Sequence, residues 1–161
     1  MKTKSSGRAG AACLIFGLLL QPLAGASQAA KPSAKDKCPV CGMFVAEYGD
    51  FLAEVVFQDG FRAYFDGPKD MFRYIFQPDK YHPGRKQADI ASIWVTDYYS
   101  LEWIDGKRAL YVIGSDVRGP MGNELIPVGL EPEAKAFLND HKGKSIFRFE
   151  DITLEIVNSL D

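Results

Sequence analysis

Residues 51–65, FLAEVVFQDGFRAYF, carry the clearest structural pattern in this chain. Residues 51–57 are rich in branched and aromatic side chains, which is typical of a β-strand. Asp59-Gly60 is a preferred pair for a tight turn between antiparallel strands. Residues 61–65 alternate as a returning strand does, and three apolar side chains then share one face: Phe61, Ala63 and Phe65. This pattern predicts a β-hairpin.

A helix is predicted directly after the hairpin. Asp66 belongs to a residue type that favours the N-cap, and Pro68 suits the first helical turn. Apolar residues then recur at helical spacing until Pro78: Met71, Phe72, Ile75 and Phe76. Met71 is therefore expected in the core. Residues 77–88 are predicted to be a loop, and residues 90–95 a further buried strand.

The second half of the chain repeats this order of elements. Residues 101–104 and 109–113 are predicted as strands joined by the Asp105-Gly106 turn. Three more elements are expected: a strand at 124–128, a helix at 132–138 and a strand at 145–149. Residues 152–157 fit either a strand or a helix, so both stay open.

These elements predict an α+β fold. Two small strand–strand–helix–strand units, about residues 38–96 and 97–161, are expected to pack as one compact domain. Trp94 and Trp103 are expected in its core.

The start of the chain is predicted to be a secretory signal peptide, residues 1–29. Three basic residues precede an apolar run of 12 residues, 9–20, and Pro22 then breaks the helix. A transmembrane helix needs about 20 apolar residues, so this run is too short for one. Residues 30–37 are polar and are predicted to form a flexible tether.

The predicted product is a soluble periplasmic protein, because Ala26 stands where a lipoprotein would carry its acylated cysteine. A retained membrane anchor is the alternative. Removing residues 1–30 takes away three basic and no acidic residues, which leaves 16 basic and 21 acidic residues and a formal charge of −5. Nucleic acid is not an expected partner, because binding it requires a clustered basic face.

Sulfur donors lie in two glycine-containing segments. The first, CPVCGM at 38–43, contains two thiols and a thioether, and the second, GPMG at 119–122, contains another thioether. Sulfur ligands favour Cu(I) over harder cations that prefer oxygen. We therefore predict a Cu(I) site made by Cys38, Cys41, Met43 and Met121. Three residues are expected to have structural roles near it: Gly42, Gly122 and Asp66.

Other uses of the cysteine pair stay open. A disulfide between Cys38 and Cys41 would close a very short loop and add little stability. A zinc site usually needs a second cysteine pair or two histidines, whereas His82 and His141 are isolated. A thioredoxin-type dithiol follows a strand, and no strand is predicted before Cys38. The alternatives to a copper protein are thus a thiol–disulfide oxidoreductase and a zinc module. No nucleophile–base motif indicates other chemistry, so the protein is predicted not to be an enzyme.

The chain resembles the NosL family of nitrous oxide reductase accessory proteins over residues 38–150. Cys41-Gly42-Met43 precedes a hydrophobic hairpin, and Phe65-Asp66 precedes a helix that contains Met71. The later matches are Val95-Thr96-Asp97-Tyr98, Trp103-Ile104, residues 109–115, Gly119-Pro120-Met121-Gly122, Ala134, Phe137 and Gly143.

The resemblance implies a Cu(I)-binding chaperone of the denitrifying periplasm, built from two similar α+β units. Its implied partners are nitrous oxide reductase, whose copper–sulfur centre it would supply, and an ABC-type transporter complex. Cys41, Met43 and Met121 match the family pattern, and Cys38 is an addition to it. Most members are lipoproteins, from which Ala26 departs. Similar proteins also serve other copper targets, so the client stays open.

Residues 38–43 also resemble the opening of YHS/TRASH-type treble-clef metal modules. Those modules carry a second cysteine pair near the hairpin's return and the helix start. Asp66 and Asp70 lie in that region here, and Asp66 is expected to be mainly a helix cap.

Overall fold

A computed structural model describes residues 28–161. The predicted signal peptide, residues 1–29, therefore lies outside the described residues except for its last two. The first of two sheets has four antiparallel strands in the order β2-β1-β3-β4. They are β1 Ala53–Phe57, β2 Arg62–Phe65, β3 Ile90–Thr96 and β4 Trp103–Asp105.

The predicted hairpin is confirmed as the β1–β2 pair. Gly60 adopts a φ of +84°, and its N–H donates to the carbonyl of Phe57 at 2.9 Å. This left-handed conformation is readily available to glycine, which explains why Asp-Gly forms the turn. All five residues of β1 are buried because the strand is central, and the buried Glu54 is ion-paired with Arg62.

The second sheet has three antiparallel strands in the order β6-β5-β7. They are β5 Leu110–Ile113, β6 Ile126–Val128 and β7 Ser145–Arg148. The helices are α1 Pro68–Phe76, α2 Pro78–Tyr81, α3 Glu131–Asp140 and α4 Leu154–Asn158. The α+β class is confirmed. Helix α4 resolves the ambiguous C-terminal segment as helical, and α2 lies inside the stretch predicted to be a loop.

The predicted hairpin around Asp105-Gly106 is wrong, because β4 pairs with β3 and β5 belongs to the other sheet. The turn that forms instead is organised by the buried Asp97. Its Oδ2 accepts hydrogen bonds from the N–H groups of Tyr99 at 3.1 Å and Ser100 at 2.8 Å. This local side-chain pairing turns the chain back onto β3. The first sheet thus extends past the predicted unit boundary at 96–97.

The expected cap of α1 by Asp66 is also wrong. The N-cap position is taken by Gly67 in extended backbone, and glycine has no side chain that could cap the helix. The Asp66 side chain points to Cys41 instead. The rest of the prediction for α1 holds, since Met71 is fully buried in the core.

One hydrophobic core connects the two sheets. The ring of Phe72 on α1 lies 5.0 Å from that of Tyr111 on β5, edge to face, and 5.2 Å from that of Phe149. A smaller cluster packs α3 on the second sheet through Val112, Ile126, Val128, Ala134 and Phe137. Trp103 is half-buried against the main core. Among residues 28–161, every helix is too short or too polar to cross a bilayer.

Candidate metal centre

Residues 38–43 fold into a compact loop that presents both thiols. The N–H of Cys38 donates to the carbonyl of Met43 at 2.9 Å, and the N–H of Gly42 donates to the carbonyl of Cys38 at 2.9 Å. Gly42 has a φ of +81°, in the left-handed region that favours glycine. A bridge between Lys37 and Phe44 closes the base of this loop. The last residue of the predicted tether is therefore paired with the loop.

Helix α1 supplies the other side of the site. Asp66 lies just before the helix and Asp70 lies in its first turn. The thiol of Cys41 donates to Asp66 Oδ1 at 3.2 Å, and the thiol of Cys38 donates to Asp70 Oδ2 at 3.5 Å. One donor atom from each of the four residues lies within 4.8 Å of the others. In the described part of the chain, this is the one such cluster of three or more Cys, His, Asp or Glu side chains.

Three of the four side chains are buried. Cys38 is 1% exposed, Asp66 1% and Asp70 2%, whereas Cys41 is partly exposed. An incoming ion or partner ligand can therefore reach the cluster most directly from the side of Cys41.

Burial and the two carboxylates keep both thiols protonated. Burial raises the pKa of Cys38 far above its ordinary value, and Asp66 and Asp70 raise it further. Burial likewise raises the pKa of Cys41 to about 12, with Asp66 again adding to the effect. A thiolate beside a carboxylate in a poorly hydrated site repels it, so each thiol shares its proton with the neighbouring oxygen.

Helix α1 also carries two cations, Arg73 and Lys69. Arg73 Nη1 donates to Asp70 Oδ1 at 3.1 Å and also pairs with Asp161. The buried Lys69 extends its Nζ to the carbonyl of Met121 at 2.8 Å and lies 3.7 Å from Asp161 Oδ1. The positive charge of Arg73 offsets part of the negative charge that Asp70 places next to Cys38.

Met43 and Met121 lie in the two segments predicted from the sequence. Met43 is half-buried in the cysteine loop. Met121 is 43% exposed at the tip of a tight turn, where the backbone groups of Gly119 and Gly122 pair with each other and Gly122 has a φ of +89°. The turn meets α1 through the hydrogen bond from Lys69 to the Met121 carbonyl. Both thioethers remain predicted ligands.

Two members of the cluster are not among the ligands predicted from the sequence. Asp66 is predicted near the site, mainly as a helix cap, and Asp70 is indicated only by the treble-clef resemblance. The available signal was their position at the start of the predicted helix, although Asp66 lies just before α1 and not on it. Their approach to the thiols depends on contacts between residues 25 and 32 positions apart, which local patterns do not encode.

Comparison with known proteins identifies the family of the chain. The family model NosL matches residues 29–157. The chain belongs to the NosL family. It is 30% identical to the copper-binding lipoprotein NosL of Stutzerimonas stutzeri, over 90% of this chain and 81% of that protein.

Two solved structures of NosL proteins are also similar. The copper chaperone NosL from Shewanella denitrificans matches with a TM-score of 0.68 at 22% identity, over 80% of this chain and 97% of that one. That likeness confirms the fold predicted from the NosL resemblance. The apo-NosL protein from Achromobacter cycloclastes matches with a TM-score of 0.47 at 27% identity, over 65% of this chain and 87% of that one.

Proposed function

We propose that this NosL-family protein is a copper chaperone that binds Cu(I) at the cysteine loop and passes it to a copper enzyme. The observation that carries the proposal is the meeting of Cys38 and Cys41 with the start of α1, at a site open beside Cys41. The relatives named as a copper-binding lipoprotein and a copper chaperone support copper as the cargo.

The proposed ligands of Cu(I) are Cys38, Cys41, Met43 and Met121. Thiolate and thioether sulfur match this soft monovalent ion, and a thioether binds it without losing a proton. Asp66 and Asp70 have a different proposed effect. By holding the thiol protons, they make Cu(I) compete with protons and so weaken its binding at neutral pH. A moderated affinity favours release to the next protein.

Transfer is proposed to occur by ligand exchange. The partly exposed Cys41 and the exposed Met121 are positions where a donor from a partner can join the ion before the buried Cys38 lets go. The ion would thus move between proteins without being released to solvent.

We further propose the periplasm as the compartment. The client is proposed to be nitrous oxide reductase, supplied together with an ABC-type maturation complex. The basic and apolar leader supports the compartment, and membership in the NosL family supports the client.

An anaerobic competition titration against a chromogenic Cu(I) chelator tests the copper proposal. Cys41→Ser and Met121→Ile should each weaken Cu(I) binding, since each removes a sulfur ligand. Met71→Leu is the matched control, because Met71 is fully buried in the core and should leave the affinity unchanged. A wild-type protein that fails to compete for Cu(I) would refute the proposal.

A zinc module is the second candidate, and the structure strengthens it relative to the sequence. Cysteine and histidine alone supply too few zinc ligands, because among the described residues only Cys38 and Cys41 lie together. Asp66 and Asp70 complete a set of four ligands with them. The two functions separate in Asp70→Asn, which should weaken Zn²⁺ binding strongly and Cu(I) binding much less, because carboxylate oxygen suits the divalent ion better. Zinc that copurifies with the protein and resists displacement by Cu(I) would favour the zinc module.

The thiol oxidoreductase alternative is disfavoured by the electrostatics. A reactive cysteine needs a lowered pKa so that the thiolate is present near neutral pH. Both thiols here have raised pKa values because they are buried beside carboxylates.

A further inference from the structure

The start of α1 and the Met121 turn are held together by two buried side chains from opposite sides. Glu124 accepts hydrogen bonds at Oε1 from the N–H of Lys69 at 2.6 Å and from that of Leu125 at 2.9 Å. Lys69 in return donates from Nζ to the carbonyl of Met121 at 2.8 Å. Two reciprocal contacts thus join segments that lie about fifty residues apart along the chain.

Glu124 caps the N-terminus of α1, a role that the sequence predicts for Asp66. Its carboxyl group pairs with a backbone N–H in the first turn of α1, one of the groups that a helix cannot satisfy internally. The cap of the helix that carries Asp70 and directly follows Asp66 is therefore supplied by the segment that carries Met121.

Glycines on both sides provide the space that this carboxyl group occupies. A Cβ on Gly67 would overlap Oε2 of Glu124, and a Cβ on Gly119 would lie 2.9 Å from both Cγ and Oε2. Gly67 is the N-cap of α1, and Gly119 begins the Met121 turn. The Glu124 side chain is thus packed between the two segments that it connects.

The desolvation free energy of burying Glu124 and Lys69 indicates that the pair serves to fix a geometry. Glu124 is 3% exposed and Lys69 2%. Burying a carboxyl group and an ammonium group costs desolvation free energy, and an apolar pair of similar size often stabilises a protein as well or better. What a polar pair adds is a fixed geometry, because hydrogen bonds are directional and apolar contacts are not.

We infer that Lys69 and Glu124 form a positioning clamp that holds Met121 at the distance from Cys38 and Cys41 needed for all three to bind one Cu(I). The inference rests on the proposed function. The clamp acts through its hydrogen bonds to the backbone of Met121 and to the start of α1. Lys69 and Glu124 are therefore positioning residues.

A double-mutant cycle in Cu(I) affinity tests the clamp. The four proteins are wild type, Lys69→Leu, Met121→Ile and the double variant, measured by anaerobic chelator competition. Lys69→Leu should weaken Cu(I) binding by about fivefold or more in the wild type and cause no further loss once Met121 is replaced. A purely structural role would weaken binding equally in both backgrounds.

Gly119→Ala provides an independent disturbance that leaves both Lys69 and Glu124 in the chain and covers the case in which Lys69→Leu does not fold. Its Cβ should displace Glu124 and weaken Cu(I) binding only when Met121 is present. Gly49→Ala is the matched control, since its Cβ meets nothing within 4 Å.

The outcomes separate the clamp from the function. Three results would overturn the clamp while wild-type Cu(I) binding stands. The first is that the double variant loses affinity by the product of the two single losses. The second is an unchanged affinity in both Lys69→Leu and Gly119→Ala, and the third is an unchanged affinity in Met121→Ile. Failure of the wild type to bind Cu(I) would overturn the proposed function itself.

Discussion

At the scale of single residues, the site is defined by two thiol–carboxylate pairs. Cys38 pairs with Asp70, and Cys41 pairs with Asp66. Each pair places an acceptor for a proton beside the atom proposed to bind the metal. Because a thiol must lose its proton to become a good ligand, these carboxylates set how strongly pH controls metal binding.

The apparent Cu(I) affinity should rise with pH between pH 6 and 8. Both thiols have raised pKa values and remain protonated across this range, so each thiolate that binds Cu(I) releases about one proton. The apparent affinity then increases about tenfold per pH unit for each proton released. Chelator competition at a series of pH values measures this slope.

Cys38→Ser separates the two thiols in that experiment. If Cys38 is a ligand, the variant should release about one proton fewer on binding Cu(I), and the slope of log affinity against pH should fall by about one. A slope identical to that of the wild type would remove Cys38 from the ligand set, and Cys41 would be left as the binding thiolate.

At the scale of elements, the short C-terminal helix α4 shows how one side chain starts a helix. Thr153 occupies its N-cap, and its hydroxyl accepts a hydrogen bond from the N–H of Ile156 at 3.3 Å. The helix packs against α1. Just after α4, the carbonyl of Leu160 accepts a hydrogen bond from Asn123 Nδ2 at 3.2 Å. The cap therefore helps to hold the C-terminus near the helix that carries the site.

Thr153→Ala should lower the free energy of unfolding by about 1 kcal/mol, because the N–H of Ile156 loses its partner. Thr153→Ser keeps the hydroxyl and should change the stability by only a few tenths of that amount. Urea denaturation of the three proteins measures the difference. Equal losses in both variants would mean that the methyl group, and not the cap, matters at this position.

At the scale of the whole molecule, the two sheets share one core and should unfold together. Phe72 on α1 contacts two rings from the second half of the chain, Tyr111 and Phe149. Phe72→Ala should lower the free energy of unfolding by about 3–5 kcal/mol, since it leaves a large cavity between the units. Phe44→Ala, at a side chain that is 44% exposed, should cost far less.

Tryptophan fluorescence and far-UV circular dichroism report on cooperativity in the same titration. Trp94 and Trp103 both lie in the first sheet, whereas circular dichroism follows both sheets and all helices. Coincident curves are expected. A fluorescence transition well separated from the circular dichroism transition would show that the units unfold independently.

The contribution of Glu124 to stability should fall as the pH rises from about 5 to about 8. Burial raises the pKa of Glu124 from its ordinary 4.5 to about 8, although Lys69 opposes the shift and Asp70 adds to it. Between these values the folded protein holds a proton that the unfolded chain has lost, so raising the pH favours unfolding. Above pH 8 this contribution levels off.

Glu124→Gln isolates this contribution, since the amide oxygen still accepts hydrogen bonds but does not titrate. The difference in unfolding free energy between wild type and variant should shift in favour of the variant as pH rises through this window. Taking the difference removes contributions from other groups, such as His82, whose pKa burial lowers. A difference that stays constant with pH would contradict the assignment.

The sequence by itself determined the elements that depend on neighbours along the chain. The β1–β2 hairpin, α1 and α3 follow from period-two and period-3.6 patterns and from residues such as Gly60, whose conformation needs no distant partner. The cysteine loop was equally evident, because its residues are contiguous. The resemblance to NosL rested on motifs of the same local kind.

Tertiary structure alone decided which sheet takes β4, what Asp66 and Asp70 face, and which residue caps α1. Asp97 closes the β3–β4 turn, the carboxylates of Asp66 and Asp70 lie against thiols, and Glu124 caps a helix that begins 56 residues before it. The physical reason is shared by all three. An aspartate or glutamate accepts hydrogen bonds equally well from a turn, a helix start or a thiol, so its partner is chosen by the donors that packing brings within reach.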